Sequence, residues 1–162
     1  SQLDEDQVPL ERESVDLLEI SRDVVQQLSS VAKKNGVSLV AGGTHGSVYG
    51  VRQVLSEMVY NLCENAVKYN QKGGRVSVDV KQSDAAITLT VKDTGIGIPK
   101  AEQSRVFERF YRVDKSHSKA VGGTGLGLSI VKHGAALHHA AIELNSEVGE
   151  GTEIKLIFPV KR

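Results

Sequence analysis

The sequence predicts an α+β fold, in which a mixed, mostly antiparallel sheet carries about three helices on one face as a two-layer sandwich. Three segments repeat apolar residues at helical spacing, and two pairs of neighbouring segments alternate apolar and polar residues as hairpins do. The chain has 162 residues, of which 40% are hydrophobic and 25% are charged. That length and composition are typical of one globular domain with a sizeable core.

The first third of the chain contains a linker, a strand and a helix. Residues 1–13 are acidic and include Pro9, so we interpret them as a linker and place the domain at residues 14–162. A short strand is predicted at Ser14 to Asp16. Apolar residues at helical spacing then predict a helix of about five turns from Leu17 to Lys34, which Gly36 ends.

A second strand and the central helix follow. Val37 to Val40 has the composition of a strand, and the glycine-rich residues 41–50 form a turn with a short strand at Ser47 to Tyr49. Val51 to Asn70 is predicted as a helix with opposed apolar and polar stripes. The polar stripe consists of Glu57, Asn61, Asn65 and Lys68. Such a row could hold a cation and its anionic partner, or it could simply face solvent.

The remaining elements alternate between hairpins and a long connection. Residues 75–81 and 86–92 are predicted as a hairpin, and helical spacing returns at residues 126–137. The last two strands are predicted at residues 140–145 and 152–159. The connection of residues 93–124 exceeds 30 residues, and loops of that length in compact domains are usually functional lids or disordered segments.

The charge balance indicates which binding partners the protein can have, and the cysteine count indicates the redox state of its cellular compartment. Lysine plus arginine and aspartate plus glutamate number 20 each, so neither nucleic acid nor an anionic membrane is indicated as a partner. Cys63 is the one cysteine, which suits a reducing compartment, and we interpret it as a small helix residue. No apolar run reaches the roughly 18 residues of a membrane span, and no signal peptide is present.

Two glycine-rich motifs stand at the two ends of the long connection. Residues 93–99, DTGIGIP, follow a predicted strand, where the glycines let the backbone approach a flat ligand and the aspartate can accept from an exocyclic amine. The alternative is a tight Asx turn. Residues 122–128, GGTGLGL, enter a helix, whose N-terminus favours phosphate. They match neither the P-loop nor the dinucleotide fingerprint, and a flexible loop is the alternative there.

Taken together, four motifs resemble the catalytic ATP-binding domain of bacterial sensor histidine kinases. They are NLCENAVKYN, DTGIGIP, FERFYR and GGTGLGLSIVK, which stand in the order and at the separations of that family's N, G1, F and G2 boxes. The resemblance runs from about Val15 to Phe158 and is nearest to the phosphate-sensor-like and cell-wall-sensor-like class. It implies the Bergerat (GHKL) fold, and ATP with Mg²⁺ as ligands.

The resemblance also implies roles for individual residues. Asn61 and Asn65 would hold Mg²⁺, which prefers oxygen ligands, and Asn61 and Lys68 would serve catalysis, with Lys68 on phosphate. Tyr69 would lie against the adenine, and Asp93 would accept from its amino group. The other implied nucleotide contacts are Gly95, Gly97, Ile98 and Thr152 near the base, Phe110 and Arg112 of the F box, and Gly123, Thr124, Gly125, Leu126, Gly127 and Leu128 at the last helix.

Asn61 separates the kinases from relatives that hydrolyse ATP. Gyrase-like, mismatch-repair and chaperone ATPases carry a glutamate at this position as the general base, and an amide cannot take a proton. The resemblance therefore favours transfer of the γ-phosphoryl group of ATP to a histidine. A nucleotide-binding regulatory module without catalysis and a GHKL-type ATPase are the alternatives.

The acceptor histidine of such kinases lies on a separate dimerisation domain. None of the five histidines here stands in the acceptor pattern, so residues 1–13 would link to a missing upstream acceptor domain and this chain would not phosphorylate itself. The implied partners are that domain and a response regulator. The implied location is cytoplasmic, as part of a dimeric, membrane-anchored bacterial sensor. The family commonly ends the last helix with two glycines, and His139, Ala140 and Ala141 stand in that region here.

Overall fold

The computed structural model describes residues 10–108 and 127–160, which form a five-stranded sheet covered by helices on one face and a small two-stranded sheet. The predicted α+β two-layer architecture is confirmed. None of the helices within these two ranges is long and apolar enough to cross a bilayer. The elements, in chain order, are β1 (Glu13–Asp16), α1 (Leu17–Gln27), α2 (Ser29–Lys34), β2 (Ser38–Gly43), β3 (Ser47–Gly50), α3 (Arg52–Lys68), β4 (Arg75–Gln82), β5 (Ala86–Asp93), a 3₁₀ turn (Lys100–Glu102), α4 (Gly127–Leu137), β6 (Ala141–Glu147) and β7 (Gly151–Pro159).

The large sheet is mixed but mostly antiparallel, as the sequence predicts. Its strand order is β2-β4-β5-β7-β6, and only the β2–β4 pair is parallel. The register places Asp93 of β5 opposite Thr152 of β7, and Thr152 opposite Ser146 of β6. Directly paired residues point to the same side of a sheet, so these three side chains form one row across the ends of three strands.

The hydrophobic core lies between the inner face of the sheet and the helices. Alternate residues of the central strands are buried, as the period of two requires, and the apolar stripe of α3 packs against them. The most deeply buried side chains of the core include Leu55, Met58, Leu89, Leu156 and Phe158. Each contributes about 1.5–3 kcal/mol through apolar burial, so α3 is fixed to the sheet and its polar stripe is held in one orientation.

The predicted helix from Leu17 to Lys34 is two helices, which is a correction to the sequence-based bounds. Asp16 caps α1, since its Oδ1 accepts from Leu18 N at 3.0 Å. The helix ends at Leu28, whose φ of −94° and ψ of 3° leave the helical region. The Ser29 hydroxyl donates to the Gln26 carbonyl at 2.8 Å, and such side-chain bonds compete with regular helical geometry.

A buried histidine joins the end of α4 to the start of α3. His138 is 6% exposed, and its Nε2 lies 3.0 Å from the backbone nitrogen of Val51, while Nδ1 lies 2.8 Å from the Gly134 carbonyl oxygen. Because the Val51 N–H can only donate, Nε2 must be the bare nitrogen and Nδ1 must carry the proton. His138 is therefore a neutral structural residue.

We expect the stability of the domain to fall in mild acid because of His138. Burial lowers the pKa of His138 below its ordinary value, the bond to Gly134 opposes this, and the charges of Arg12 and His139 add to the lowering. In mild acid the unfolded chain therefore binds more protons than the folded chain. The contribution of neutral His138 to the free energy of unfolding is complete above about pH 6.5, and it is lost as the pH falls through the lower pKa of the folded state.

Urea titrations at a series of pH values measure this effect as a slope of the unfolding free energy. The slope below pH 6.5 should reach at most about 1.4 kcal/mol per pH unit for this one proton. His138→Gln should reduce the slope, whereas the same change at exposed His133 should not. Equal slopes in all three proteins would show that His138 is not the titrating group.

The residue after α4 adopts a backbone conformation that suits glycine. His139 has φ of 55°, and it is the one non-glycine residue with positive φ within the described ranges. This is where the sequence departs from the family's glycine pair. A non-glycine residue in the left-handed region loses about 1–2 kcal/mol of stability. A glycine at this position would avoid that loss, but its larger entropy in the unfolded chain would cost about 0.5–1 kcal/mol.

His139→Gly should therefore raise the free energy of unfolding by about 0.5 kcal/mol. The matched control is His133→Gly, which places the same substitution at an exposed position inside α4 and should lower it by about 0.5 kcal/mol. Urea denaturation of the two variants measures both effects. A loss of stability at both positions would contradict the strain expected from φ.

Candidate functional site

The polar stripe of α3 is partly covered by the rest of the molecule. Glu57, Asn61, Asn65 and Lys68 are each half-buried. The Asn61 side-chain nitrogen donates to the Glu57 carbonyl one turn back, at 2.7 Å. That bond orients the amide so that its oxygen is available for a ligand.

The start of α4 lies directly against the two asparagines. A methyl group added at Gly127 would lie 3.2 Å from Asn65 Nδ2 and 3.3 Å from Asn61 Oδ1. Gly127 is the first residue of α4, where unpaired backbone N–H groups give a helix its positive end. The amides of the N box and the N-terminus of the last helix therefore face one another, as an anion-binding arrangement requires.

Lys68 is held one helical turn from a carboxylate. Its Nζ lies 3.7 Å from Glu64 Oε2, and both side chains are less than one-third exposed. Burial together with the Glu64 charge and hydrogen bond raises the pKa of Tyr60. Glu64 thus contacts Tyr60 one turn before it and Lys68 one turn after it.

The loop after β5 folds back over the end of α3. Asp93 Oδ1 accepts from Gly95 N at 2.8 Å and from Thr152 N at 3.1 Å, and the Ile96 N–H donates to the Tyr69 carbonyl at 3.2 Å. A methyl group at Gly95 would lie 2.6 Å from that same carbonyl oxygen. Glycine is thus required for the close approach of this loop to α3.

Asp93 keeps an acceptor for a ligand. Both of its described hydrogen bonds go to Oδ1, which leaves Oδ2 to accept from another donor. Burial raises the pKa of this carboxyl, while the N–H groups of Gly95 and Thr152 act in the opposite direction. A half-buried carboxylate with one oxygen engaged by the backbone is suited to bind an amino group.

A hydrogen-bond network behind this loop was not predicted from the sequence. Ser146 Oγ accepts from Ile98 N at 2.8 Å, and Gln103 Nε2 donates to the carbonyl oxygens of Ile98 at 2.9 Å and of Ser146 at 3.1 Å. In the sequence, Ser146 falls in a predicted connecting turn, and Gln103 stands in no motif. Only the pairing register, which sets Ser146 beside Thr152, could have indicated it.

The described site residues form two connected groups. Asn61, Asn65 and Gly127 meet at one end. At the other end, Tyr69, Asp93, Gly95 and Thr152 are in contact. Gly97 and Ile98 adjoin the second group through the β6–β7 hairpin, and Leu128 packs on the core next to Gly127. The remaining predicted site residues lie outside the described residues: Phe110, Arg112, Gly123, Thr124, Gly125 and Leu126.

The described residues support neither a reactive cysteine nor a metal site built from histidine, cysteine and carboxylate side chains. Burial raises the pKa of the Cys63 thiol to about 12, so it is an inert core residue as expected. In the two described ranges, histidine, cysteine, aspartate and glutamate form no group of three that could hold a metal ion. A divalent cation here would depend on amide oxygens, water and ligand oxygens.

The chain is similar to known proteins over most of its length. The family described as "Histidine kinase-, DNA gyrase B-, and HSP90-like ATPase" matches residues 50–162. The chain is 40% identical over 148 residues to the sensor-like histidine kinase SenX3 of Mycolicibacterium smegmatis, a match that covers 91% of this chain and 38% of SenX3. The chain thus spans well under half the length of that relative.

Solved structures show the same fold. The mycobacterial sensor histidine kinase MprB superimposes with a TM-score of 0.79 at 31% identity, covering 91% of this chain and 97% of that one. Full-length ShkA, whose crystal structure is a complex with AMPPNP, gives a TM-score of 0.81 at 26% identity, covering 94% of this chain and 32% of ShkA. The chain belongs to the histidine kinase-, DNA gyrase B- and HSP90-like ATPase family and carries the nucleotide-binding domain of the sensor histidine kinases.

Proposed function

We propose that this domain binds ATP with Mg²⁺ and presents the γ-phosphoryl group to a histidine on a separate dimerisation domain of a two-component sensor kinase. The observation that carries the proposal is the meeting of Asn61 and Asn65 with the first residue of α4. It brings two neutral side-chain amides next to the positive end of a helix. The nucleotide complex of the related ShkA supports the choice of ligand.

The amide pair suits Mg²⁺ as the ion that accompanies the phosphates. The bond to Glu57 engages Asn61 Nδ2 and leaves Oδ1 as the atom that a ligand can use, and hard cations take such oxygens. Magnesium usually keeps several waters and shares one or two protein ligands with substrate phosphates. When bound it would neutralise phosphate charge, while Lys68 and the start of α4 would bind the remaining phosphate oxygens.

The other group of site residues would bind the base. Asp93 Oδ2 would accept from the exocyclic amine of adenine, with Gly95, Gly97 and Ile98 forming the backbone around it and Thr152 beside it. Tyr69 would lie against the ring. Phe110, Arg112 and the glycines at 123 and 125 would complete the phosphate side, as the resemblance to the family implies.

The parent protein would supply the acceptor histidine and the signal input. We assign the residues before β1 to a link with an upstream dimerisation domain, since the related SenX3 is much longer than this chain. A response regulator would then take the phosphoryl group. We place the domain in the cytoplasm of a bacterium, in a membrane-anchored, dimeric sensor.

Phosphoryl transfer distinguishes this proposal from its alternatives. The chain would be mixed with a separately produced dimerisation domain of a related kinase and γ-labelled ATP. Label on histidine, which is lost in acid and stable in base, is the expected result. Label released only as inorganic phosphate would favour the ATPase, and nucleotide binding without either product would favour the regulatory module.

The metal assignment has its own test in Asn65. Asn65→Ala should reduce the dependence of ADP affinity on Mg²⁺ by about tenfold, while binding in EDTA is retained. Calorimetry with and without Mg²⁺ measures this, and Asn145→Ala on the exposed face of β6 is the matched control. An unchanged Mg²⁺ dependence in the Asn65 variant would remove this residue from the metal site.

A further inference from the structure

A serine in the last hairpin lies at the centre of the contacts behind the base-binding group. Ser146 Oγ is 2.8 Å from Ile98 N, 2.9 Å from the Gly151 carbonyl oxygen and 2.8 Å from Thr152 Oγ1. The hydroxyl is therefore shared by the loop after β5 and by the first two residues of β7. Its one proton can serve only one of these contacts.

A single arrangement of protons satisfies all three contacts. Ile98 N–H can only donate, and the Gly151 carbonyl can only accept, so the Ser146 proton must point to Gly151. The contact with Thr152 is then a hydrogen bond only if the Thr152 hydroxyl donates to Ser146. In this arrangement Ser146 uses its proton and both lone pairs, and Thr152 has no proton left to give to a ligand.

The edge of the site that Asp93 and Thr152 share would then offer acceptors alone. Thr152 lies directly across from Asp93, and its own backbone N–H is already given to Asp93 Oδ1. The atoms that remain free to contact a ligand at this edge are Asp93 Oδ2 and Thr152 Oγ1, and both can only accept. A donor such as an exocyclic amine is favoured at this edge, and a carbonyl oxygen is repelled by it.

We propose that Ser146 is a specificity-determining residue, which fixes the Thr152 hydroxyl as an acceptor and so makes the site select 6-aminopurine over 6-oxopurine nucleotides. The proposal rests on the proposed function, because it takes the nucleotide base to lie beside Asp93. It adds a residue that does not touch the ligand and acts through the proton of another side chain. Without the Ser146 hydroxyl, Thr152 can turn its proton toward the ligand.

Gln103 separates this effect from simple support of the loop. Its Nε2 holds the carbonyl oxygens of Ile98 and Ser146, so it ties the loop to the hairpin without contacting the Thr152 hydroxyl. Gln103→Met should therefore weaken the binding of all purine nucleotides by similar factors. Ser146→Ala should instead change the preference between them.

The measurement is the ratio of the dissociation constants of inosine diphosphate and ADP, obtained by calorimetry on this chain. Ser146→Ala should lower that ratio at least about fivefold, the effect of one hydrogen bond. Ser146→Thr, which keeps the hydroxyl, should preserve the ratio. Ser83→Ala, at a serine whose hydroxyl bonds only within the β4–β5 turn, is the matched control and should also preserve it.

A double variant tests whether the effect passes through Thr152. Thr152→Val should itself lower the ratio, and adding Ser146→Ala to it should cause no further change. An unchanged ratio in either single variant overturns the proposal, and the Thr152 variant alone is sufficient for this even if Ser146→Ala does not fold. If the unaltered chain binds neither nucleotide, the proposed function fails; if it binds ADP and only the ratio is insensitive, the specificity role of Ser146 alone fails.

Discussion

Asp93→Asn should weaken ADP binding by roughly tenfold to a hundredfold, the range expected when a hydrogen bond to a charged group is lost. The substitution keeps the shape of the side chain. Its remaining oxygen can still accept from Gly95 N and Thr152 N, which both bind Oδ1 in the structure. The other position changes from an acceptor to an amide donor, so it meets the exocyclic amine of the base with the wrong polarity.

Calorimetric titration with ADP measures this loss, and Asp79→Asn is the matched control. Asp79 lies on β4 at a position that points away from the helices, so its substitution should leave affinity unchanged. Thermal unfolding of both variants checks that the fold is retained. Unchanged ADP affinity in Asp93→Asn, with the fold intact, would move the base away from Asp93.

The same residue should make nucleotide affinity sensitive to acid. Burial raises the pKa of Asp93 above its ordinary value, so the carboxyl takes up a proton at a higher pH than an exposed aspartate would. Because the neutral form is the weaker acceptor, ADP affinity should begin to fall earlier on acidification. Asp93→Asn should lack this dependence, and a comparison of the two affinity–pH profiles decides whether Asp93 is the titrating group.

Much of the fold could be predicted because its elements have strong local patterns. The central helix is predicted over Val51 to Asn70 and found as Arg52–Lys68, and the hairpin of β4 and β5 is found within one residue of its predicted bounds. In both cases apolar periodicity coincides with burial. The predicted helix from Leu17 to Lys34 was wrong at Leu28, since periodicity continues through a break that one serine hydroxyl stabilises.

The site could be predicted only where a residue type carries its chemistry in sequence. Asn61, Asn65 and Asp93 stand in motifs, and the structure places the two asparagines against the start of α4 and Asp93 against Thr152. Ser146 could not be recognised in the same way, because a serine in a turn is common and its role depends on a register between three strands. Hydrogen-bond direction across paired strands is a tertiary property, and no local pattern encodes it.

The glycine at 97 should be the most sensitive backbone position of the loop after β5. Its φ is 77°, and a methyl group there would lie 2.1 Å from the carbonyl oxygen of Glu147. Gly149 is a matched control, because its φ of 84° is similar and a methyl group there would meet nothing within 4 Å. The two positions thus share the conformational cost and differ in the steric one.

Gly149→Ala should cost about 1 kcal/mol of unfolding free energy, from the left-handed backbone alone. Gly97→Ala should cost about 3–5 kcal/mol, because either the loop or the β6–β7 hairpin must move to admit the methyl group. Urea denaturation measures both. The hairpin carries Ser146, which holds Ile98, so the shift should also reduce ADP affinity in Gly97→Ala and not in Gly149→Ala. Equal losses of stability in the two variants would mean that the close packing of loop on hairpin does not persist in solution, and the base-binding edge would then be formed by the ligand rather than before it arrives.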